Sequence, residues 1–252
     1  MQISNRRIEE IINFLKGLNL DSKYKEEFTN KKIKNLFHLN ESLTHSSANS
    51  EVNYENLEFL GDAVLRLIAS DFIKDNYPHM LVGERSELRS HLVSDQWLSE
   101  VGSKINIISV LLIGKKALKD KSAINTIRAE STEALIGALY VSLTTLDPIK
   151  EWLSPFWEDK SKEILADPHK KNYKSALQEW SQSKGLSVPK YKTYEVDSKH
   201  DSPKRFFCTV YIKNRSIAQG RGKSMKQAEK NAAKNALADF EKSNGSEINF
   251  LH

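Results

Sequence analysis

The residues best suited to chemistry are four acids in two helical patterns. Residues 56–68 read Asn-Leu-Glu-Phe-Leu-Gly-Asp-Ala-Val-Leu-Arg-Leu-Ile, with apolar side chains recurring at helical spacing at Leu57, Leu60, Val64, Leu67 and Ile68. Glu58, Asp62 and Arg66 fall four apart and line one narrow polar stripe. In residues 127–143, Glu130 and Glu133 share a face that continues through Ala134, Gly137 and Ala138, all small. The plain reading of each stripe is the solvated side of an amphipathic helix. Two features weigh against it. Phe59, Ala63, Leu65 and Ala69 crowd the first stripe, so that helix reads as buried nearly all round. Gly61 also sits mid-helix, at a cost of about 1 kcal/mol against alanine unless something must approach closely there. Carboxylates in such surroundings must be neutralised by protonation, by a cation or by a metal. Small residues let the two helices pack close and bring all four acids together. Such a cluster calls for divalent cations, and oxygen-only ligands favour hard ions such as Mg²⁺ or Mn²⁺.

The chain around these helices has 252 residues, 39% hydrophobic and 28% charged, enough for one large domain or two smaller ones. No apolar run reaches the length that crosses a bilayer. The first ten residues lack the apolar core of a signal peptide, and Cys208 is alone, so no intramolecular disulfide is possible. These features predict a cytoplasmic protein without a membrane partner. Charge is unevenly placed. Residues 1–166 hold 21 Lys and Arg against 24 Asp and Glu, whereas residues 167–252 hold 17 against 9. A basic C-terminal third on a mildly acidic body suggests a polyanion-binding module joined to something else.

Residues 3–20 and 23–38 read as short amphipathic helices. His45, in Leu43-Thr-His-Ser-Ser47, reads as a local hydrogen-bonding residue rather than a ligand or base. Tyr77-Pro78 ends the first acidic helix, since proline cannot continue the ladder. Residues 83–94 begin another, with Leu88, Leu92 and Trp97 inward and Arg85, Arg89 and His91 on a basic face. An apolar run follows over 105–113, then a connection carrying Lys115, Lys116, Lys119 and Lys121. Trp152, Phe156 and Trp157 close the domain as packing anchors. Nothing in residues 1–166 alternates at period two, so this domain is expected to be all helical over 1–158. The charged residues 159–171, containing Asp167-Pro168, read as a linker.

Beyond it the periodicity changes. Tyr173, Leu177 and Trp180 mark a helix, and residues 191–196, 205–212 and 216–222 read as three strands. Ser224-Met-Lys-Gln227 has the pattern of a capping box for a last helix with Ala228, Ala232, Ala236, Leu237 and Phe240 inward. This small α+β domain, in the order α-β-β-β-α, is expected over 172–242, with a tail over 243–252.

Asn56-Leu-Glu-Phe-Leu-Gly-Asp-Ala-Val-Leu65, preceded by Glu55, resembles the signature of the ribonuclease III family. Glu130-Ser-Thr-Glu-Ala-Leu-Ile-Gly-Ala138 resembles that family's second acidic helix, and Leu43-Thr-His45 its segment upstream of the first. The second domain resembles a double-stranded-RNA-binding domain. The resemblance implies an endoribonuclease that cleaves double-stranded RNA by two-metal-ion phosphodiester hydrolysis. Expected products carry 5′-phosphate and 3′-hydroxyl ends with short 3′ overhangs, and expected substrates are rRNA, mRNA and tRNA precursors. Mg²⁺ is the expected cofactor, with Mn²⁺ able to substitute. Glu58, Asp62, Glu130 and Glu133 would hold metal directly or through water, Asp62 and Glu133 lying nearest the chemistry. Glu55 would touch RNA. The resemblance also implies a homodimer, with Phe59 either anchoring the partner or packing in the core.

The resemblance places Gln178 and Glu179 in one minor groove and His200 in the next. Lys223, Lys226 and Lys230 would grip phosphates between, over a span of about 16 base pairs. Three positions depart from the family pattern. Val82 stands where an acid commonly precedes Gly83, and Met225 replaces one lysine. Glu130 replaces a frequent Asp, moving that charge by one carbon–carbon bond, about 1.5 Å. Two other readings stay open. One is a non-cleaving double-stranded-RNA-binding protein with structural or regulatory work. The other is a metal-dependent phosphohydrolase for other substrates, tethered by its basic module. No small-molecule substrate is expected.

Overall fold

A computed structural model describes residues 3–29, 33–120, 122–167, 172–197 and 202–242. The chain forms two compact units, residues 1–163 and 164–252. Among the described residues no helix is long and apolar enough to cross a membrane.

The first unit is helical. α1 (Asn5–Lys16) starts at Ser4, whose hydroxyl accepts from the Arg7 amide. The stretch expected as one helix over 23–38 is two, α2 (Ser22–Thr29) and α3 (Ile33–Ser42). Arg7 is buried, and its guanidinium donates to Asn40 Oδ1 at 2.9 Å and to the carbonyls of Val110 and Leu43 at 2.7 and 3.1 Å. Those bonds offset the cost of taking a charge out of water and pin three segments together.

α4 (Glu55–Asn76) carries the first acidic motif and ends at Tyr77, before Pro78. α5 (Val82–Leu92) follows, and α6 (Asp95–Lys104) is capped by Ser94, whose hydroxyl accepts from the Trp97 amide at 3.3 Å. This break assigns Trp97 to α6 rather than to the end of α5. There its ring stacks on Trp157 with centroids 5.8 Å apart. A 3₁₀ turn (Ile107–Val110) and the short α7 (Lys115–Lys119) lead into α8 (Ile124–Leu143), the buried centre of the unit. α9 (Asp147–Leu165) is longer than expected, so residues 159–165 are helix rather than linker.

The second unit runs α10 (Tyr173–Ser183), β1 (Lys190–Glu195), β2 (Phe206–Ile212), β3 (Arg215–Gly222) and α11 (Met225–Lys242). The sheet is antiparallel in the order β1-β2-β3. Cys208, Val210 and Ile212 point from β2 into a core completed by Leu177, Ala232 and Phe240. Gly220 and Gly222 let β3 lie against α11: a Cβ on Gly220 would come within 2.2 Å of the Ala232 amide nitrogen. Half of the expected capping box forms. Ser224 Oγ accepts from the Gln227 amide, but the Gln227 side chain runs forward along the helix to Asn231 Oδ1 at 3.0 Å. The fold class is therefore an all-helical domain followed by an α-β-β-β-α domain.

Candidate active site

Two glycines set the geometry. A Cβ on Gly61 of α4 would stand 1.9 Å from the Glu133 carbonyl oxygen, and one on Gly137 of α8 would stand 2.2 Å from the Leu57 carbonyl oxygen. No side chain fits there, so the backbones of α4 and α8 touch. Asp62 follows Gly61 and Glu133 is itself at the contact, while Glu58 on α4 and Glu130 on α8 lie about one turn before them. The mid-helix glycine thus repays its cost in helix propensity by close packing.

The four acids differ in their partners. Arg66 Nε donates to both oxygens of Asp62 at 2.9 and 2.8 Å. Glu130 accepts a hydrogen bond from the Tyr54 hydroxyl at 2.5 Å. Burial, and then the Glu130 carboxylate, raise the Tyr54 pKa above its ordinary value, so Tyr54 remains the donor. Burial pushes Glu58 up to about 7, with further contributions from Glu130, Glu55 and Asp95. Glu133 is pushed up to about 8, by burial first and then by Asp62, Glu58 and Asp95, against the opposing pull of Arg66. Two carboxyls that hold their protons near neutrality mark a site where negative charge is crowded and under-compensated.

Among the described residues no three acids, histidines or cysteines stand close enough to grip a metal ion together. Asp62 is engaged by Arg66 and Glu130 by Tyr54. The donor set still suits a hard divalent cation, because it is all oxygen and its mutual repulsion is what such a cation relieves.

Two residues were missed from sequence. Tyr54 orients Glu130, and its own ring lies edge-on to His45 at 5.3 Å. His45 Nδ1 accepts from the Ser47 amide at 2.9 Å, the local bonding role expected of it. Asp95, in the first turn of α6, adds charge to Glu58 and Glu133 from a third helix. Arg85 is tied to the carbonyls of Met80 and Pro78, and Arg89 to Ser70 at 2.9 Å.

Phe59 is 84% exposed and Leu67 57%, so α4 is not buried all round as its crowded pattern suggested. Phe59 takes no part in this chain's core, and Val82 is exposed as well. Glu55 is exposed beside the acids. In the second unit Gln178, Glu179, Lys223 and Lys226 are exposed, whereas Lys230 is half-buried with its ammonium 5.9 Å from the Tyr173 ring centroid. His200 lies outside the described residues.

A family model described as Ribonuclease-III-like matches residues 36–151, and one described as Double-stranded RNA binding motif matches residues 173–239. A protein named Ribonuclease 3 from Prochlorococcus marinus is 52% identical over 235 residues, covering 93% of this chain and 94% of that one. The chain belongs to the ribonuclease III family. A Ribonuclease 3 from Borreliella burgdorferi is 34% identical and covers 96% of both chains. One named Ribonuclease 3 2 from a Synechocystis species is 40% identical over 79% of this chain. As a ribonuclease III the chain is a double-stranded-RNA endoribonuclease, with a double-stranded-RNA-binding domain as its second unit. Membership is consistent with a divalent-metal requirement.

Proposed function

We propose that this ribonuclease III cuts both strands of an RNA duplex at the junction of α4 and α8, with Mg²⁺ as its metal and Mn²⁺ as a substitute. The observation that carries the reading is the backbone contact of α4 with α8 at Gly61 and Gly137, which sets two acids of each helix against each other. Burial and neighbouring acids push Glu58 up to about 7 and Glu133 to about 8. Glu58, Asp62, Glu130 and Glu133 would hold the metal, which when bound supplies Lewis acidity and lowers the pKa of water. Asp62 and Glu133 lie nearest the reacting phosphate. Tyr54 fixes Glu130 by donating to it, which leaves the rest of that carboxylate to face the site. This contact also takes up the extra methylene that Glu130 has over the aspartate frequent in the family. Glu55, exposed at the rim, would touch RNA.

The first domain would cut and pair with a second copy through Phe59, whose exposure beside Leu67 supports a homodimer. The second, expected over 172–242, would supply affinity, with Gln178, Glu179 and His200 toward minor grooves and Lys223, Lys226 and Lys230 toward phosphates. Products would carry 5′-phosphate and 3′-hydroxyl ends with short 3′ overhangs, and cytoplasmic rRNA, mRNA and tRNA precursors would be substrates. Glu133→Gln tests the reading. Cleavage should fall by at least a hundredfold while duplex affinity, read by gel shift on the same preparation, stays within about threefold. Near wild-type cleavage would remove Glu133 from the site.

A further inference from the structure

The three-stranded sheet has two faces, and only one is covered by helices. Cys208, Val210 and Ile212 face α10 and α11, and so do Gly220 and Gly222, which pack on the α11 backbone. By the strict alternation of a strand, the residues between them face away. On that open face the register places Tyr194 opposite Phe207, and Phe207 opposite Arg221. It also places Lys190 opposite Tyr211, and Lys192 opposite Thr209. Three aromatic rings and three cations therefore share one surface, and no carboxylate is among these residues.

Tyr194 is the exposed ring of the three, Phe207 and Tyr211 are half-buried with a cation over each, and Thr209 between them is buried. Tyr194 is 55% exposed, and Val196, two residues on, is 51% exposed. The Lys192 ammonium stands 5.2 Å from the Tyr211 ring centroid, and the Arg221 guanidinium 5.4 Å from that of Phe207. At one end the face opens into a cleft of about 380 Å³ lined by Ser187, Val188, Lys190, Tyr211, Lys213 and Asn214. The left-handed residues Lys213 and Asn214, φ 48° and 62°, make the tight β2–β3 turn that forms one wall. The cleft pairs one aromatic ring with two ammonium groups.

We propose that this open sheet face binds single-stranded RNA. Unpaired bases stack on Tyr194, Phe207 and Tyr211, while Lys190, Lys192 and Arg221 meet the phosphates. Aromatic platforms flanked by cations suit single strands because every unpaired base offers a flat face and every linkage a negative charge. A duplex presents only groove edges and phosphates, and gains nothing from exposed rings. The absence of acids from these positions and the basic balance of the domain favour a polyanion over a protein partner. Among the described residues, the duplex contacts proposed above belong to α10 and the start of α11. The single strand would therefore occupy the opposite side of the same domain, and both RNAs bind at once.

The test uses the full chain in EDTA, so that nothing is cut, with a fluorescent unstructured ten-nucleotide RNA read by anisotropy. Stacking contributes roughly 1–3 kcal/mol per base, so Tyr194→Ser should weaken the single strand by about fivefold or more. The double substitution Lys190→Gln with Lys192→Gln should weaken it further and flatten its salt dependence. Both variants change exposed side chains, and unaltered thermal melting confirms that they fold. Their affinity for duplex RNA should stay within twofold of wild type. Excess unlabelled duplex should leave the labelled strand bound. If both variants hold the single strand as tightly as wild type, or if duplex displaces it completely, the proposal fails. The first result would leave the face to a protein partner.

Discussion

Glu58 and Glu133 carry the electrostatic strain of the site, and their sign sets a pH dependence. Both carboxyls have an ordinary value of 4.5, and the fold raises them to about 7 and about 8. Below pH 4.5 they are neutral folded or unfolded and exert no effect. Between 4.5 and about 8 the unfolded chain loses protons that the folded chain keeps, so stability falls as pH rises, and above that the loss is complete. Acids held low by a partner, such as Asp71 beside Lys150, act in the acid range below this window. The metal-free protein should therefore melt at a lower temperature at pH 8.5 than at pH 5.5, by several degrees in calorimetry with EDTA. Glu133→Gln should flatten that trend, and a variant with the full wild-type slope would show that Glu133 is not the strained group. The four acids were legible in sequence because helical spacing alone puts each pair on one face. Tyr54 and Asp95 were not. They reach the site from the turn before α4 and from the start of α6, and no periodicity links those segments to the acids.

At the level of elements, the small face of Gly137 and Ala138 and the mid-helix Gly61 foretold a close helix crossing, and the backbone contact between α4 and α8 is that crossing. Helix ends were less legible. Ser94 restarts the chain as α6 within a continuous apolar pattern, and α9 runs on through charged residues to Leu165, because polar side chains are compatible with a solvated helix face. Exposure on α4 was misread for a related reason: an apolar residue reads as core whether this chain or a second one covers it. The start of α11 carries a testable consequence. Lys223 and Lys226 are exposed there, beside amides and a dipole that attract phosphate. Each phosphate contact lowers the logarithm of affinity by about 0.9 per decade of salt for B-form DNA. Replacing Lys223, Lys226 and Lys230 by Ala should flatten the salt slope for duplex RNA by roughly two to three units. Loss of affinity with an unchanged slope would mean that these lysines act through the fold, as the position of Lys230 over Tyr173 allows for that residue alone.

The whole molecule divides its labour as its charge does. The mildly acidic unit carries the acids and the exposed Phe59 and Leu67, and the basic unit carries the lysines proposed to meet RNA and the aromatic face of the sheet. That division was visible in the change from helical to alternating periodicity near residue 172, and in the charge balance on either side. The open sheet face was not, because which side of a strand the helices cover is decided only by packing. The two units make a double-stranded-RNA endoribonuclease, and the proposed reading has it need a duplex, a 2′-hydroxyl and a divalent cation at once. The most direct measurement incubates the full chain with a long RNA duplex, a DNA duplex of the same sequence and each RNA strand alone, with Mg²⁺ or with EDTA. Only the RNA duplex with Mg²⁺ should be shortened, to fragments with 5′-phosphate ends. An RNA duplex left intact at every Mg²⁺ concentration, or a DNA duplex cut at the same rate, would contradict the account.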